Sequence, residues 1–201
     1  MKKIQQTTRK FLVAIISMLL LISACTKKTI PTPTPVPIPK PEITPIKTTE
    51  SQSVYYERYT ENTISSSLEH GITFSANVKG KITKVGGKVH KAGNYRITVW
   101  DDSSKAIITT VYADLDSNSY KYVNITPIEA RVDKRFVISM NVLKTAFRIV
   151  DNTGAEFMPF YTGGITIHYY CDAKTASQIF PERHRDTYRI TGLVDFVFVE
   201  D

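Results

Sequence analysis

One short polar stretch is the clearest candidate for metal chemistry in this sequence. Asp114, Asp116 and Asn118 stand at every second position, and carboxylate and amide oxygens are the ligands that calcium prefers. In an EF-hand loop the sixth position is glycine and the twelfth is glutamate, whereas this chain has Ser119 and Ile125 there. The pattern therefore favours an ordinary polar turn, with a structural calcium ion held by the three side chains as the alternative. No other cofactor is indicated.

The motifs that mark common enzyme classes do not occur in the sequence. It has no nucleophile elbow, zinc-binding helix, phosphate-binding loop or dinucleotide-binding loop. Glycoside hydrolysis needs two acids about 5–10 Å apart across a cleft, and no spacing selects such a pair. We therefore expect no catalytic residues and no enzymatic activity. The four histidines are far apart in the chain, at His70, His90, His168 and His184.

Aromatic side chains are the strongest remaining signal for ligand binding. The chain has eleven tyrosines and one tryptophan, and aromatic planes can stack on the apolar faces of sugar rings. Packing across strands is the alternative, because tyrosine and tryptophan are favoured in sheets. In residues 165–171, His168 and Tyr170 alternate with a second set that is expected in the core: Ile165, Ile167, Tyr169 and Cys171. Cys171 is then an inert buried thiol. The candidate ligand-binding residues are Trp100, Tyr112, Tyr161, His168 and Tyr170.

Short alternating runs predict that these residues lie on β-strands. In residues 94–100, for example, Tyr95, Ile97 and Val99 alternate with more polar positions. Turn residues recur every 8–15 positions, and no helical period is sustained. The sequence therefore predicts an all-β fold, a single antiparallel β-sandwich of the jelly-roll or immunoglobulin-like type over residues 51–201. A strand is expected to end at Pro127, and one or two helical turns are expected over residues 172–180.

The first 24 residues have the organisation of an export signal. A basic start is followed by an apolar run, Phe11 to Ile22, which is too short for an ordinary membrane-spanning helix. Ile22, Ser23, Ala24 and Cys25 resemble the lipobox of bacterial lipoproteins. That resemblance implies a lipid on Cys25, cleavage before it, and a protein anchored to the bacterial membrane in the periplasm or at the cell surface. A plain signal peptide with a coincidental cysteine is the alternative.

A proline-rich stretch separates this signal from the predicted domain. Residues 25–50 contain seven of the ten prolines, five of them alternating with other residues between Pro31 and Pro39. Alternating prolines favour extended polyproline II, so 25 residues can reach about 75 Å. We interpret the stretch as a linker that holds the domain away from the membrane, and a ligand for a proline-reading domain is the alternative.

The charge of the predicted domain excludes a nucleic-acid partner. The whole chain has a net charge of +7, but four of its 26 basic residues lie in the signal and four more in the linker. With two of the 19 acids also in the linker, residues 51–201 keep 18 basic and 17 acidic residues. Nucleic-acid binding needs a concentrated basic surface, which this balance does not provide.

Four short motifs resemble a family of uncharacterised β-sandwich domains found in secreted, often carbohydrate-active, bacterial proteins. The resemblance spans most of residues 69–199 and implies no catalytic residues. It supports a non-catalytic binding module, with a glycan as the expected ligand. The alternative is a protein-interaction or structural accessory lipoprotein, an adhesin or complex subunit, acting through an exposed strand edge or an apolar patch. The motifs are Gly71-Ile-Thr-Phe74, Gly80-Lys-Ile-Thr83, Ile97-Thr-Val-Trp-Asp101 and Asp195-Phe-Val-Phe198.

Overall fold

A computed structural model describes the predicted domain and the end of the proline-rich stretch. The described residues are 39–51, 55–61, 68–142, 145–151, 155–175, 177–183 and 185–201. The expected export signal, the expected lipid site at Cys25 and the first part of the linker lie outside them. Within the described ranges, no helix has the length and apolar character needed to cross a membrane.

The predicted all-β sandwich is confirmed. The elements in chain order are β1 Glu42–Ile43, α1 Pro45–Glu50, β2 Tyr55–Glu61, β3 Leu68–Ala76, β4 Gly80–Lys88, β5 Gly93–Asp101, β6 Ile107–Leu115, β7 Tyr120–Ala130, β8 Arg135–Val142, β9 Thr145–Asp151, β10 Phe160–Thr162, β11 Ile165–Ala173, β12 Arg185–Asp186, β13 Arg189–Thr191 and β14 Val194–Glu200. Sheet A has the strand order β1-β14-β4-β7. Sheet B has the order β10-β11-β3-β8-β5-β6 with β12 beside β11, and sheet C has the order β13-β9-β2. All of these strand pairs are antiparallel.

Alternating apolar residues from sheets A and B form the main core. Phe74 of β3 stacks on Phe196 of β14, with ring centroids 4.1 Å apart, and on Phe136 of β8 at 5.5 Å. All three rings are fully buried. Stacked aromatic pairs of this kind contribute about 0.5–1.5 kcal/mol each beyond the area they bury. The Phe74–Phe196 pair joins the two sheets, whereas Phe74 and Phe136 lie on paired strands of sheet B.

The folded unit begins before the boundary expected at Ser51. Residues 42–43 add a short strand to the edge of sheet A, and α1 packs its Ile46 into the core. Pro45 stands in the first turn of α1, where its missing amide hydrogen costs nothing. The linker expected over residues 25–50 therefore has an ordered end that belongs to the sandwich.

Asp195 of β14 fastens this N-terminal segment to sheet A. Its fully buried carboxylate accepts hydrogen bonds from the amides of Ile46 and Lys47, at 3.1 and 3.0 Å. The Tyr122 hydroxyl donates to it at 2.8 Å and the Phe196 amide at 2.9 Å. Burial raises the pKa of Asp195 to about 6, and the four donors oppose that rise by stabilising the charged form.

Gly86 lets Tyr122 reach Asp195 across an intervening strand. In sheet A, Gly86 of β4 lies between Asp195 of β14 and Tyr122 of β7 in one cross-strand row. A Cβ at this position would overlap the carbonyl oxygen of Lys121. The absent side chain therefore allows both close pairing with β7 and a hydrogen bond over the strand.

Two local predictions were wrong, each because a tertiary contact outweighs a sequence signal. β7 continues through Pro127 rather than ending there, since β7 is an edge strand and the proline lies in a register shift opposite β4. The described part of residues 172–180 contains no helix. Asp172 and Ala173 complete β11 instead, and the Asp172 carboxylate pairs with Arg183 through Nε at 3.1 Å and a terminal nitrogen at 2.9 Å.

We predict that Asp195→Ala lowers the free energy of unfolding by about 3 kcal/mol at pH 7.5, because it removes the acceptor of four donors, two of them buried and two partly buried. Denaturant unfolding measures this cost, and amide hydrogen exchange at Ile46 and Lys47 shows whether α1 opens first. Asp186→Ala is the matched control, since that carboxylate serves a surface turn. Equal costs for the two variants would contradict the role assigned to Asp195.

Candidate interaction site

The candidate site is the free edge of β6, the last strand of sheet B. β6 pairs along one side with β5, from Gly93 opposite Leu115 to Trp100 opposite Ile107. Within the described residues, no strand pairs with its other side. A nine-residue edge presents a row of backbone donors and acceptors, which is a template for another extended segment.

Apolar side chains accompany this edge and form what we call the β6 patch: Ile107, Ile108, Tyr112 and Ile179. A register shift between Val99 and Trp100 leaves Ile108 as an extra residue, and both isoleucines are exposed, Ile107 by 50% and Ile108 by 37%. Tyr112 is 68% exposed. Exposed apolar groups along an open edge are typical of surfaces that bind protein.

The neighbouring edge strand, β7, carries features that oppose pairing with another strand, and β6 lacks them. β7 contains Pro127, an irregular register, and the charged residues Lys121 and Glu129. Proline and charges are devices that block edge pairing. β6 has no proline and no lysine, and Asp114 is its only charged residue. Of these two edges, the composition favours β6 as the one open to a partner.

The β6 edge is remote from the point where the chain enters the domain. β1 lies at the end of sheet A opposite β7, and a Cβ on Gly163 beside β10 would lie 2.7 Å from Ile43 of β1. β10 and β6 are the two ends of sheet B, separated by five spacings of about 4.8 Å, roughly 24 Å. The N-terminal segment and the β6 edge therefore occupy opposite sides of the sandwich.

An irregular segment covers the outer face of sheet B next to this edge. It runs from Lys174 to Arg183, with Ala176 outside the described residues. The Gln178 amide nitrogen donates to Thr98 of β5 at 2.9 Å and to Thr110 of β6 at 2.6 Å. Ile179 follows Gln178 and is exposed, so the segment contributes one member of the β6 patch.

A buried carboxylate organises the polar groups beneath that segment. Glu69 of β3 is fully buried and accepts hydrogen bonds from Ser139 at 2.7 Å, Arg96 at 2.8 Å and Asn141 at 3.0 Å. The Trp100 indole nitrogen donates to Ser139 at 2.8 Å. Each carboxylate oxygen has a partner, so this network joins β3, β5 and β8.

The structure separates the five candidate ligand-binding residues instead of grouping them on one face. Trp100 is buried against Phe180, and Tyr170 is buried in the main core. Neither ring presents a face to solvent. Tyr112 and Tyr161 are exposed, by 68% and 73%, but they lie on β6 and β10 at opposite ends of sheet B. His168 is half-buried, with its Nε2 2.9 Å from the Ser75 hydroxyl oxygen.

A β-bulge explains why alternation misplaced residues near His168. The register of β11 against β3 shifts between Ile167 and Tyr169, so His168 is an extra residue. Ile165 and Ile167 lie in the main core as predicted. After the bulge the faces exchange: Tyr170 joins that core, and Tyr169 packs on the outer face with Cys171.

The Cys171 thiol is free and buried, as expected. Burial raises its pKa to about 12, which keeps the sulfur protonated and unreactive.

The three calcium candidates each contact a different neighbour. Asp114 accepts a hydrogen bond from the Asn94 amide at 2.7 Å, and Asp116 pairs with Lys121 at 3.2 Å. Asn118 has a φ of 62° and donates its side-chain nitrogen to Ser117 at 2.9 Å. Across the described ranges, no group of three His, Cys, Asp or Glu residues is arranged to hold a metal ion. Calcium binding by this turn stays a prediction.

Sequence reasoning missed Ile107 and Ile108 as site residues. The signal was present, because two consecutive isoleucines follow a polar turn and interrupt the alternation of β6. Such a doublet indicates a bulge or an apolar surface. The described part of the chain shows both, since β5 is the one described strand that pairs with β6 and Ile108 is an extra residue in that pairing.

Burial of His70 beside Tyr170 makes the stability of the core depend on pH. His70 Nδ1 lies 2.6 Å from the Tyr170 hydroxyl oxygen, and burial lowers the pKa of His70 to about 4. An unfolded histidine titrates near 6.5. The neutral ring therefore contributes stability that is fully present above pH 6.5 and is lost as the pH falls toward 4.

We predict that wild type loses about 2.5 kcal/mol from this group between pH 7.5 and pH 4.5, whereas His70→Gln has no such loss. The gap between the two proteins in unfolding free energy should narrow by that amount, as measured by denaturant unfolding at both pH values. The raised pKa of Asp195 acts with the opposite sign in both proteins and cancels in the difference. A gap that stays constant with pH would contradict the neutral, buried state of His70.

No protein-family model matches this chain, and the comparison with curated proteins finds no match either. The function is therefore argued from the geometry of the sandwich and its edge.

Proposed function

We propose that this protein is a lipid-anchored, non-catalytic interaction module of the bacterial envelope that binds a protein partner along the β6 edge. The observation that carries the proposal is the nine-residue open strand with exposed apolar side chains. An added strand gains backbone hydrogen bonds from the edge and side-chain contacts from the patch. This matches the protein-interaction role that the sequence left as an alternative.

The position of the edge suits an anchored protein. Residues 42–50 enter the sandwich on the side opposite β6, so a linker from a lipid on Cys25 would join the domain away from the β6 edge. The attachment of the linker then leaves that edge uncovered. A partner in the envelope can reach it without approaching the lipid surface.

Glycan binding is the second candidate, supported by the exposed rings of Tyr112 and Tyr161. Sugar-binding faces usually combine rings within one sugar length of each other, and these two lie at opposite ends of sheet B. A single ring at each site supports at most a short contact. A partner strand along β6 accounts for more of the exposed apolar side chains of the β6 patch than a sugar bound at one tyrosine ring does.

We predict that a photoreactive benzoylphenylalanine at Tyr112 forms covalent adducts with an envelope protein in intact cells, because the side chain lies in the partner contact. The same residue at Tyr161 is the matched control, since it is equally exposed on the opposite end of the sheet. Gel shifts detect the adducts, and peptide mass spectrometry identifies the partner. Equal adducts at both positions would contradict a partner at β6.

A polysaccharide panel tests glycan binding. A glycan would replace the protein partner if one glycan class retains the wild-type protein, if Tyr112→Ala or Tyr161→Ala abolishes that retention, and if position 112 gives no adducts. Retention only with calcium would direct attention to Asp114 and Asp116.

We predict that Cys25→Ser moves the protein from the membrane fraction to the soluble exported fraction and abolishes labelling by radioactive palmitate, because acyl chains provide the anchor. Cys171→Ser is the matched control and should be labelled and anchored like wild type, since that thiol is buried in the domain. Membrane retention of Cys25→Ser would overturn the lipid anchor.

A further inference from the structure

We propose that the partner strand is β6 of a second copy of this chain, with the two strands antiparallel about a twofold axis at Thr110. The proposal rests on the interaction edge proposed above and names its occupant. A twofold pair uses the same surface on both copies, so the strand must be complementary to itself. The residues of β6 meet that requirement.

Side-chain pairing favours this register. With the axis at Thr110, each Tyr112 lies opposite Ile108 of the other copy. Tyr112 is the most exposed member of the β6 patch, and Ile108 is the extra residue of the bulge. Aromatic and β-branched residues directly opposite each other are favourable cross-strand pairs, and symmetry forms this pair twice.

The charges of the strand are also compatible with self-pairing. Asp114 is the only charge of β6, and in this register the two copies of Asp114 stand eight residues apart along the strand, roughly 27 Å. Like charges on the paired strands are therefore well separated.

Self-pairing also closes the edge. A twofold interface uses each β6 once, so the assembly ends at two copies instead of growing into a fibre. Both chains enter on the side remote from β6, so both linkers leave at the outer ends of the joined sheet. Linkers of the expected length allow both copies to be anchored in one membrane.

The first test is the mass of the chain from Thr26 to Asp201 by sedimentation equilibrium over a range of concentrations. This chain retains all the described residues. We expect a dimer that dissociates on dilution, and Tyr112→Lys should raise its dissociation constant by roughly tenfold or more, because lysine on an edge opposes pairing. Tyr161→Lys, the matched control on the opposite edge, should leave the constant unchanged.

A second test fixes the register. Thr110→Cys stands on the proposed axis, where the two cysteines of a pair lie within disulfide distance, so mild oxidation should give a covalent dimer. Tyr161→Cys should not, and the buried Cys171 does not take part. If Thr110→Cys fails to fold after losing its contact with Gln178, the Tyr112→Lys sedimentation result decides alone.

The outcomes separate this inference from the proposed function. A monomer at all concentrations overturns the second copy as the partner, and adducts of Tyr112 with a different protein then leave the interaction edge standing. A dimer that Tyr112→Lys does not weaken also overturns the inference. A dimer weakened by Tyr112→Lys and cross-linked through Thr110→Cys supports it.

Discussion

The buried carboxylate of Asp195 is the contact through which the two ends of the domain become one structure. It joins the amides of α1 at the N-terminus, the strand β14 at the C-terminus, and the Tyr122 hydroxyl of β7. A buried charge is tolerated only where hydrogen bonds replace the lost water, and four donors do so here. Because the carboxylate holds α1 against β14, it fixes where the chain enters the sandwich.

The proposed function rests on what that arrangement leaves uncovered. One end of sheet B carries the short β10 and lies beside the entering chain, while the other end is the long, open β6. The outer face between them is closed by the segment from Lys174 to Arg183 and by the Glu69 network. The proposed binding therefore uses an edge, where backbone groups supply affinity and neighbouring side chains supply selectivity.

The sequence was most informative where the signal is local. Alternation located β5 closely, because a period of two survives whatever the strand pairs with. It was misleading around His168, where one extra residue exchanges the faces and sends Tyr170 inward. It also overrated Pro127 as a strand end, since proline is tolerated on the edge that β7 occupies.

The amino-acid sequence by itself determined the all-β class and the expectation of an exported, lipid-anchored protein. It also determined that residues 51–201, which contain one cysteine, have no internal disulfide bond. These depend on composition, spacing and local pattern. Only the tertiary structure decided that Trp100 and Tyr170 are buried, and that β6 is an edge. The physical reason is that exposure is set by neighbours distant in sequence. Glu69, Ser139 and Trp100 meet because their strands pair side by side.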